Sequence, residues 1–97
     1  MIKKIEHIGI AVKDIDSSAH LFERLLGAKP YKQEKVVSEG VNTTFFSLSE
    51  QKIELLSSVS KGSAIEKFLE SKNEGIHHIA LLAVSYTHLT LPTTPYV

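Results

Sequence analysis

Cysteine and tryptophan are absent from the 97-residue sequence, and only 7% of its residues are aromatic. The absence of cysteine excludes disulfide bonds and thiolate metal sites, and it favours a reducing cytoplasm as the location. Eleven lysine and arginine residues balance eleven aspartate and glutamate residues, so the formal net charge is zero. A neutral chain offers no general attraction to nucleic acid or anionic membrane, and neither is expected as a partner.

Long apolar runs are also missing. No stretch approaches the length of a membrane span, and Glu6 and His7 interrupt the apolar N-terminal region, which therefore does not fit a signal peptide. An apolar fraction of 42% and a charged fraction of 23% are those of an ordinary globular protein. We expect one domain, large enough to bury roughly 60–70% of the surface of the unfolded chain.

The apolar spacing predicts a mixed α+β order of strand, helix, three strands, helix and strand. Asp14 and Asp16 are candidate N-caps of the first helix, and Gly27 fits its C-terminal stop. Ser63 and Glu66 match a capping box, in which each side chain accepts the backbone amide of the other, at the start of the second helix. The predicted strands cover residues 5–12, 29–37, 41–48, 52–56 and 76–82.

The first and last predicted strands repeat one pattern. Each carries a histidine, an isoleucine, a small residue and a branched aliphatic residue, beginning at His7 and at His78. Alternation along a strand predicts that each histidine shares its face with small residues and that the large aliphatic residues face the core. The predicted open faces are Ile5, Gly9 and Ala11 with His7, and Ala80 with His78; the predicted core faces are Ile8, Ile10 and Val12, and Ile79 and Leu81.

Either histidine alone would be read most simply as a hydrogen-bonded strand residue, but their repetition favours two imidazoles at one metal ion. Glu54 adds a carboxylate in the predicted strand 52–56, whose Ile53 and Leu55 lie on the opposite face. A buried carboxylate is costly unless it is paired or binds a metal, although a wet sheet face or a lysine partner would also explain it. Together the three side chains suit Fe, Zn, Co, Ni or Mn. His20 is expected to face solvent.

Three segments resemble the methylmalonyl-CoA epimerase family, a branch of the vicinal oxygen chelate (glyoxalase/bleomycin-resistance) superfamily. They are IEHIGIAVKD at 5–14, KIELL at 52–56 and EGIHHIAL at 74–81. The resemblance covers residues 2–82 and implies a fold of two βαβββ modules whose curled sheets enclose one metal site. It places His7, Glu54 and His78 on three of the four family ligands, favours cobalt among the divalent ions, and implies a homodimer.

The activity implied by the resemblance is epimerisation of methylmalonyl-CoA, a small acyl-CoA substrate. A base removes the proton between the thioester and the carboxylate, a metal-stabilised enolate forms, and the proton returns on the opposite face. The catalytic acid and base stay unassigned. Thr43 stands where some family members have a catalytic glutamate, and Glu39, just upstream, is a poor substitute on sequence grounds.

The fourth family ligand, a glutamate late in the second module, has no counterpart in this sequence. We expect a first βαβββ module with its connecting helix at 1–75, the first strand of a truncated second module at 76–83, and a non-native tail at 84–97, which is rich in threonine and proline. A genuine edge strand at 87–91 is the alternative for the tail, and His88 has no functional role in either case. Such a chain is expected to bind metal weakly and to have impaired activity.

Other functions stay open at this point. The chain could be a glyoxalase or an extradiol dioxygenase, a metal-free drug-binding module, or a non-functional fragment. Dioxygenases of this fold resemble a site whose carboxylate comes late in the chain, so Glu54 favours the epimerase and glyoxalase branches. The presence of His7 and His78 counts against a metal-free module.

Overall fold

A six-stranded sheet organises the chain. The computed structural model describes residues 1–83 and the backbone of residues 88–92. The elements in chain order are β1 (Ile2–Ala11), α1 (Ile15–Leu26), β2 (Lys32–Val36), a 3-10 turn (Val37–Glu39), β3 (Val41–Leu48), β4 (Gln51–Ser58), α2 (Ala64–Lys72), β5 (Gly75–Ala83) and β6 (His88–Pro92). The strand order in the sheet is β2-β3-β4-β1-β5-β6. Strands β1 and β4 are parallel, and all other neighbouring strands are antiparallel.

The first five regular elements follow the predicted βαβββ order, and the α+β fold class is confirmed. Strand β3 has the predicted bounds, whereas β2 begins at Lys32 rather than at residue 29 and β4 runs further in both directions, over Gln51–Ser58. Among the described residues, no helix is both long and apolar enough to cross a bilayer.

Helix α1 begins and ends as predicted. The Asp14 carboxylate accepts hydrogen bonds from the backbone amides of Asp16 and Ser17, at 3.1 and 3.3 Å, so Asp14 is the N-cap. Asp16 lies inside the first turn instead, where its charge favours the positive end of the helix dipole. Gly27 ends the helix with φ of 71°, a left-handed conformation that glycine adopts without a steric cost.

Helix α2 keeps half of the predicted capping box. The Ser63 hydroxyl accepts the Glu66 amide at 3.0 Å, as expected. The Glu66 carboxylate does not return the bond to Ser63 but accepts the amide of Gly62 at 2.6 Å. The reason is that the Ser63 amide already donates to the carbonyl of Ser60, so the carboxylate caps the next amide upstream.

Each helix covers one face of the sheet. The α1 face contains Val12, Phe46, Ile53 and Leu55, packed against the apolar side of α1, and half-buried Ile8 and Ile10 join them as predicted. The α2 face contains Ala11, Val41, Leu56 and Ile65. The prediction that Ala11 lies on an open face is therefore wrong: its exposure is 0%, because α2 folds over this end of the sheet.

The described part of segment 84–97 forms β6, which pairs with β5 in the antiparallel direction. Its bounds, His88–Pro92, are shifted by one residue from the edge strand considered for residues 87–91. Residues 84–87 and 93–97 lie outside the described residues, and the non-native origin of the tail stays a prediction. Ile79 and Leu81, expected to face the core, are half-buried.

Candidate metal centre

Three neighbouring strands bring His7, Glu54 and His78 together. In the sheet, Gly9 of β1 lies opposite Glu54 of β4 on one side and opposite His78 of β5 on the other. His7 lies two residues before Gly9, and its side chain therefore shares that face of the sheet. Because the partners are fixed by backbone register, the convergence follows from the order of the strands rather than from flexible loops.

Gly9 makes room for the ring of His78. A Cβ atom built on Gly9 would lie 2.2 Å from Cε1 of His78, closer than non-bonded atoms can approach. Any side chain at this position would displace the imidazole. Position 9 must therefore be glycine, because the His78 ring of the neighbouring strand occupies the space of a side chain.

The three side chains offer one donor atom each, all within 4.8 Å of one another. The two Nε2 atoms are 3.1 Å apart, and each is 3.5 Å from Oε1 of Glu54. The point equidistant from these atoms is about 2.0 Å from each, which matches a typical Zn–N or Zn–O bond of about 2.0–2.2 Å. The side chains are only 13–24% exposed. Donor chemistry and spacing therefore fit a first-row divalent ion.

Glu6 contacts the His7 ring, and Lys52 contacts Glu6. Oε1 of Glu6 lies 2.5 Å from Nδ1 of His7, and Oε2 of Glu6 lies 3.0 Å from Nζ of Lys52. Burial by itself would raise the pKa of Glu6, but the hydrogen bonds and positive charges of His7 and Lys52 together outweigh it and hold the pKa below its usual value. The same carboxylate raises the pKa of Lys52. His7 thus has its Nδ1 atom engaged by an anion and its Nε2 atom facing Glu54.

His77 supports His78 in a similar way. Their Nδ1 atoms are 3.0 Å apart, and the His77 ring packs nearly perpendicular to the Phe68 ring of α2, with the ring centroids 5.1 Å apart. Burial lowers the pKa of His77, and the nearby His78 lowers it further, which favours the neutral ring. The Nδ1 atom of His78 is therefore engaged as well, and its Nε2 atom is directed at Glu54.

A cavity of about 390 Å³ adjoins His78, one of the candidate ligands, between the 3-10 turn and the start of α2. Its lining combines apolar residues with Glu39 and the two adjacent histidines of β5. The lining includes Glu39, Val41, Leu56, Ile65, His77 and His78. Among the described residues that line this cavity, Glu39 has the only carboxylate.

The structure also places the other residues considered from the sequence. Thr43 is buried and its hydroxyl donates to the carbonyl of Glu34 at 3.0 Å, which is a structural role. His20 is exposed, as predicted. The side chain of His88 lies outside the described residues. Sequence reasoning missed Glu6 and His77; the available signal was a polar residue directly before each strand histidine.

Comparison with known proteins gives the family. The model of the glyoxalase/bleomycin resistance protein/dioxygenase superfamily matches residues 6–88. The chain belongs to this superfamily. It is 38% identical over 81 residues to YqjC of Bacillus subtilis, covering 84% of this chain and 58% of that protein.

Two further proteins similar to this chain carry a functional name. The ethylmalonyl-CoA/methylmalonyl-CoA epimerase of Cereibacter sphaeroides is 39% identical over 80 residues, with 81% of this chain and 60% of that protein covered. A solved structure of a methylmalonyl-CoA epimerase with methylmalonyl-CoA and an ammonium ion aligns with a TM-score of 0.75 at 28% identity, covering 87% of this chain and 64% of the other. The chain thus resembles methylmalonyl-CoA epimerases and spans less than two thirds of the length of these relatives.

Proposed function

We propose that this chain carries the metal-binding module of an epimerase that acts on methylmalonyl-CoA or a closely related acyl-CoA. The convergence of His7, Glu54 and His78 on one point about 2.0 Å from each donor atom is the observation that carries the proposal. Similarity to proteins named methylmalonyl-CoA epimerase supports the choice of reaction within the superfamily. The cytoplasmic location and the homodimer expected from the sequence stay predictions.

Two imidazoles and one carboxylate would hold the ion, and cobalt is the ion that the family resemblance favours. When bound, a divalent ion supplies Lewis-acid stabilisation for negative charge that develops on a substrate oxygen. Three protein donors leave room for substrate or water in the coordination sphere. The described residues offer three ligands at this site and no fourth, so we expect weaker metal binding and lower activity than in a four-ligand site.

The chain's own residues would bind the acyl group and move a proton. The cavity beside His78 has an apolar wall formed by Val41, Leu56 and Ile65, suited to the methyl side of a branched acyl group. Glu39 is the carboxylate on this cavity, and we propose it as the base that takes the proton from the carbon between the thioester and the carboxylate. Sequence considerations disfavoured Glu39, and its place on the cavity is what supports the new assignment.

Exchange of the substrate α-proton tests this proposal even where full turnover is slow. Methylmalonyl-CoA is incubated with the Co²⁺-supplemented chain in D₂O, and deuterium at the α-carbon is followed by mass spectrometry against the protein-free rate. We expect exchange above that rate, a loss of at least about tenfold in Glu39→Gln, and no loss in Glu50→Gln, which removes an exposed carboxylate from the β3–β4 turn.

Exchange at the protein-free rate would contradict the epimerase proposal. Exchange that persists unchanged in Glu39→Gln would leave the reaction in place and refute Glu39 as its base. Oxygen uptake with a catechol, in place of exchange, would assign the chain to the dioxygenases of the superfamily.

A further inference from the structure

Two irregularities in the pairing of β1 with β5 lie directly beside the candidate ligands. Ile5 pairs with Leu81 and His7 with Ala80, so Glu6 is an extra residue on β1. Gly9 pairs with His78 and Ile10 with Ile76, so His77 is an extra residue on β5. Each of the two strands therefore bulges at the residue immediately before its histidine.

The bulges have a consequence for side-chain direction. In a regular strand, consecutive side chains point to opposite faces, and the residue before a histidine would not reach its ring. A bulge bends the strand and re-aims a side chain. Here Glu6 reaches Nδ1 of His7 at 2.5 Å, and His77 reaches Nδ1 of His78 at 3.0 Å. The same device thus occurs twice, at corresponding places of the two repeated strands.

We propose that Glu6 and His77 are positioning residues, placed by the paired bulges to hold His7 and His78 with Nδ1 protonated and Nε2 directed at Glu54. The Nδ1–H group of His7 donates to the Glu6 carboxylate. The Nδ1–H group of His78 donates to the bare Nδ1 atom of His77. This inference rests on the proposed metal site, since it assigns the outer contacts of that site's ligands.

Each positioning residue is itself held in place. Nζ of Lys52 lies 3.0 Å from the second carboxylate oxygen of Glu6, and Phe68 of α2 packs against the His77 ring. The two contacts differ in strength, because a hydrogen bond to an ionised carboxylate is roughly twice as strong as one between neutral groups. Loss of the Glu6 carboxylate should therefore weaken metal binding more than loss of the His77 nitrogen.

A purely structural role makes different predictions. Glu6 would then serve only to neutralise Lys52, and His77 only to fill space against Phe68. The substitution Glu6→Ala removes the acceptor, whereas Glu6→Gln keeps an oxygen that can accept from His7. The substitution His77→Phe keeps an aromatic ring against Phe68 and removes the nitrogen.

The experiment combines Co²⁺ titration by calorimetry with ¹⁵N NMR of the histidine rings in the full chain. We expect Glu6→Ala and His77→Phe each to raise the Kd for Co²⁺ by about 10–100-fold, with partial recovery in Glu6→Gln. The matched controls Glu70→Ala and His20→Phe, at exposed helix positions, should keep the original Kd. In the metal-free chain, both His7 and His78 should show a protonated Nδ1.

The NMR measurement tests the inference on the original chain alone, so it needs neither added metal nor variants that fold. A protonated Nε2 with a bare Nδ1 on either histidine of the original chain would overturn it, as would unchanged Kd values in Glu6→Ala and His77→Phe. A chain with the expected ring protonation that binds no Co²⁺ would refute the metal site and support the positioning contacts alone.

Discussion

Gly9 and His78 face each other across the pairing of β1 with β5, and the imidazole occupies the space that a side chain at Gly9 would need. The same glycine lies opposite Glu54 on its other side. One residue without a side chain therefore separates two of the three candidate ligands and lets them approach the third.

Replacing this glycine should disable the site. We expect Gly9→Ala to abolish measurable Co²⁺ binding, because the new methyl group would displace the His78 ring, and to lower the free energy of unfolding by about 1–3 kcal/mol through overpacking. The matched control is Gly75→Ala, at a strand position where a Cβ meets nothing within 4 Å. Calorimetry and urea unfolding measure both effects. Co²⁺ binding of original affinity in Gly9→Ala would contradict this assignment.

Metal should stabilise the folded chain. A ligand that binds only the folded state adds about 2.7 kcal/mol at a hundred times its Kd. We expect Tm to rise on addition of Co²⁺, to return on addition of a chelator, and to stay constant in His7→Ala and His78→Ala. His20→Ala should respond like the original chain. The measurement is differential scanning fluorimetry at fixed pH, and an equal Tm rise in all variants would mean that the ion binds elsewhere.

Packing of α2 against the sheet should depend on Ile65. This residue is 4% exposed and lies in the cluster with Ala11 and Leu56, beside the proposed site. We expect Ile65→Ala to lower the free energy of unfolding by about 2–5 kcal/mol. Ile2→Ala removes the same atoms from a half-exposed strand position and should cost much less. Equal losses in chemical denaturation would show that α2 contributes little to the core.

Substitutions at Asp14 and Asp16, the two candidate caps of α1, should have different effects on stability. We expect Asp14→Ala to lower the free energy of unfolding by about 0.5–2 kcal/mol, because two amides of the first turn lose their acceptor. Asp16→Ala removes only a favourable interaction with the helix dipole and should cost about 0.3–1 kcal/mol. Urea unfolding compares the two variants directly. A larger loss in Asp16→Ala would show that Asp14 is not the main cap of α1.

Much of the fold could be predicted from the sequence because short-range patterns determine it. The bounds of α1 follow from Asp14, Gly27 and the apolar spacing between them, and β3 follows from alternation along 41–48. The grouping of His7, Glu54 and His78 came from repetition and from family resemblance; strand order then brings them together. Such signals are local or repeated, and they do not require knowledge of long-range packing.

The remaining features depend on contacts between distant segments. Burial of Ala11 requires α2 to fold over the sheet, which alternation along β1 alone does not reveal. The bulges at Glu6 and His77 are properties of strand pairing, so each strand read by itself predicts the wrong direction for these side chains. The place of Glu39 on the cavity likewise depends on how the 3-10 turn meets α2.

The most direct test of the metal centre is X-ray absorption at the cobalt edge of the Co²⁺-loaded chain. The proposed site predicts one ion per chain, with two imidazoles and at least one oxygen donor in the nearest shell at about 2.0–2.2 Å. In His78→Ala, the imidazole contribution should fall to one ring or the ion should be lost. A shell of oxygen donors without imidazole scattering would contradict the convergence of His7, Glu54 and His78 on a metal ion.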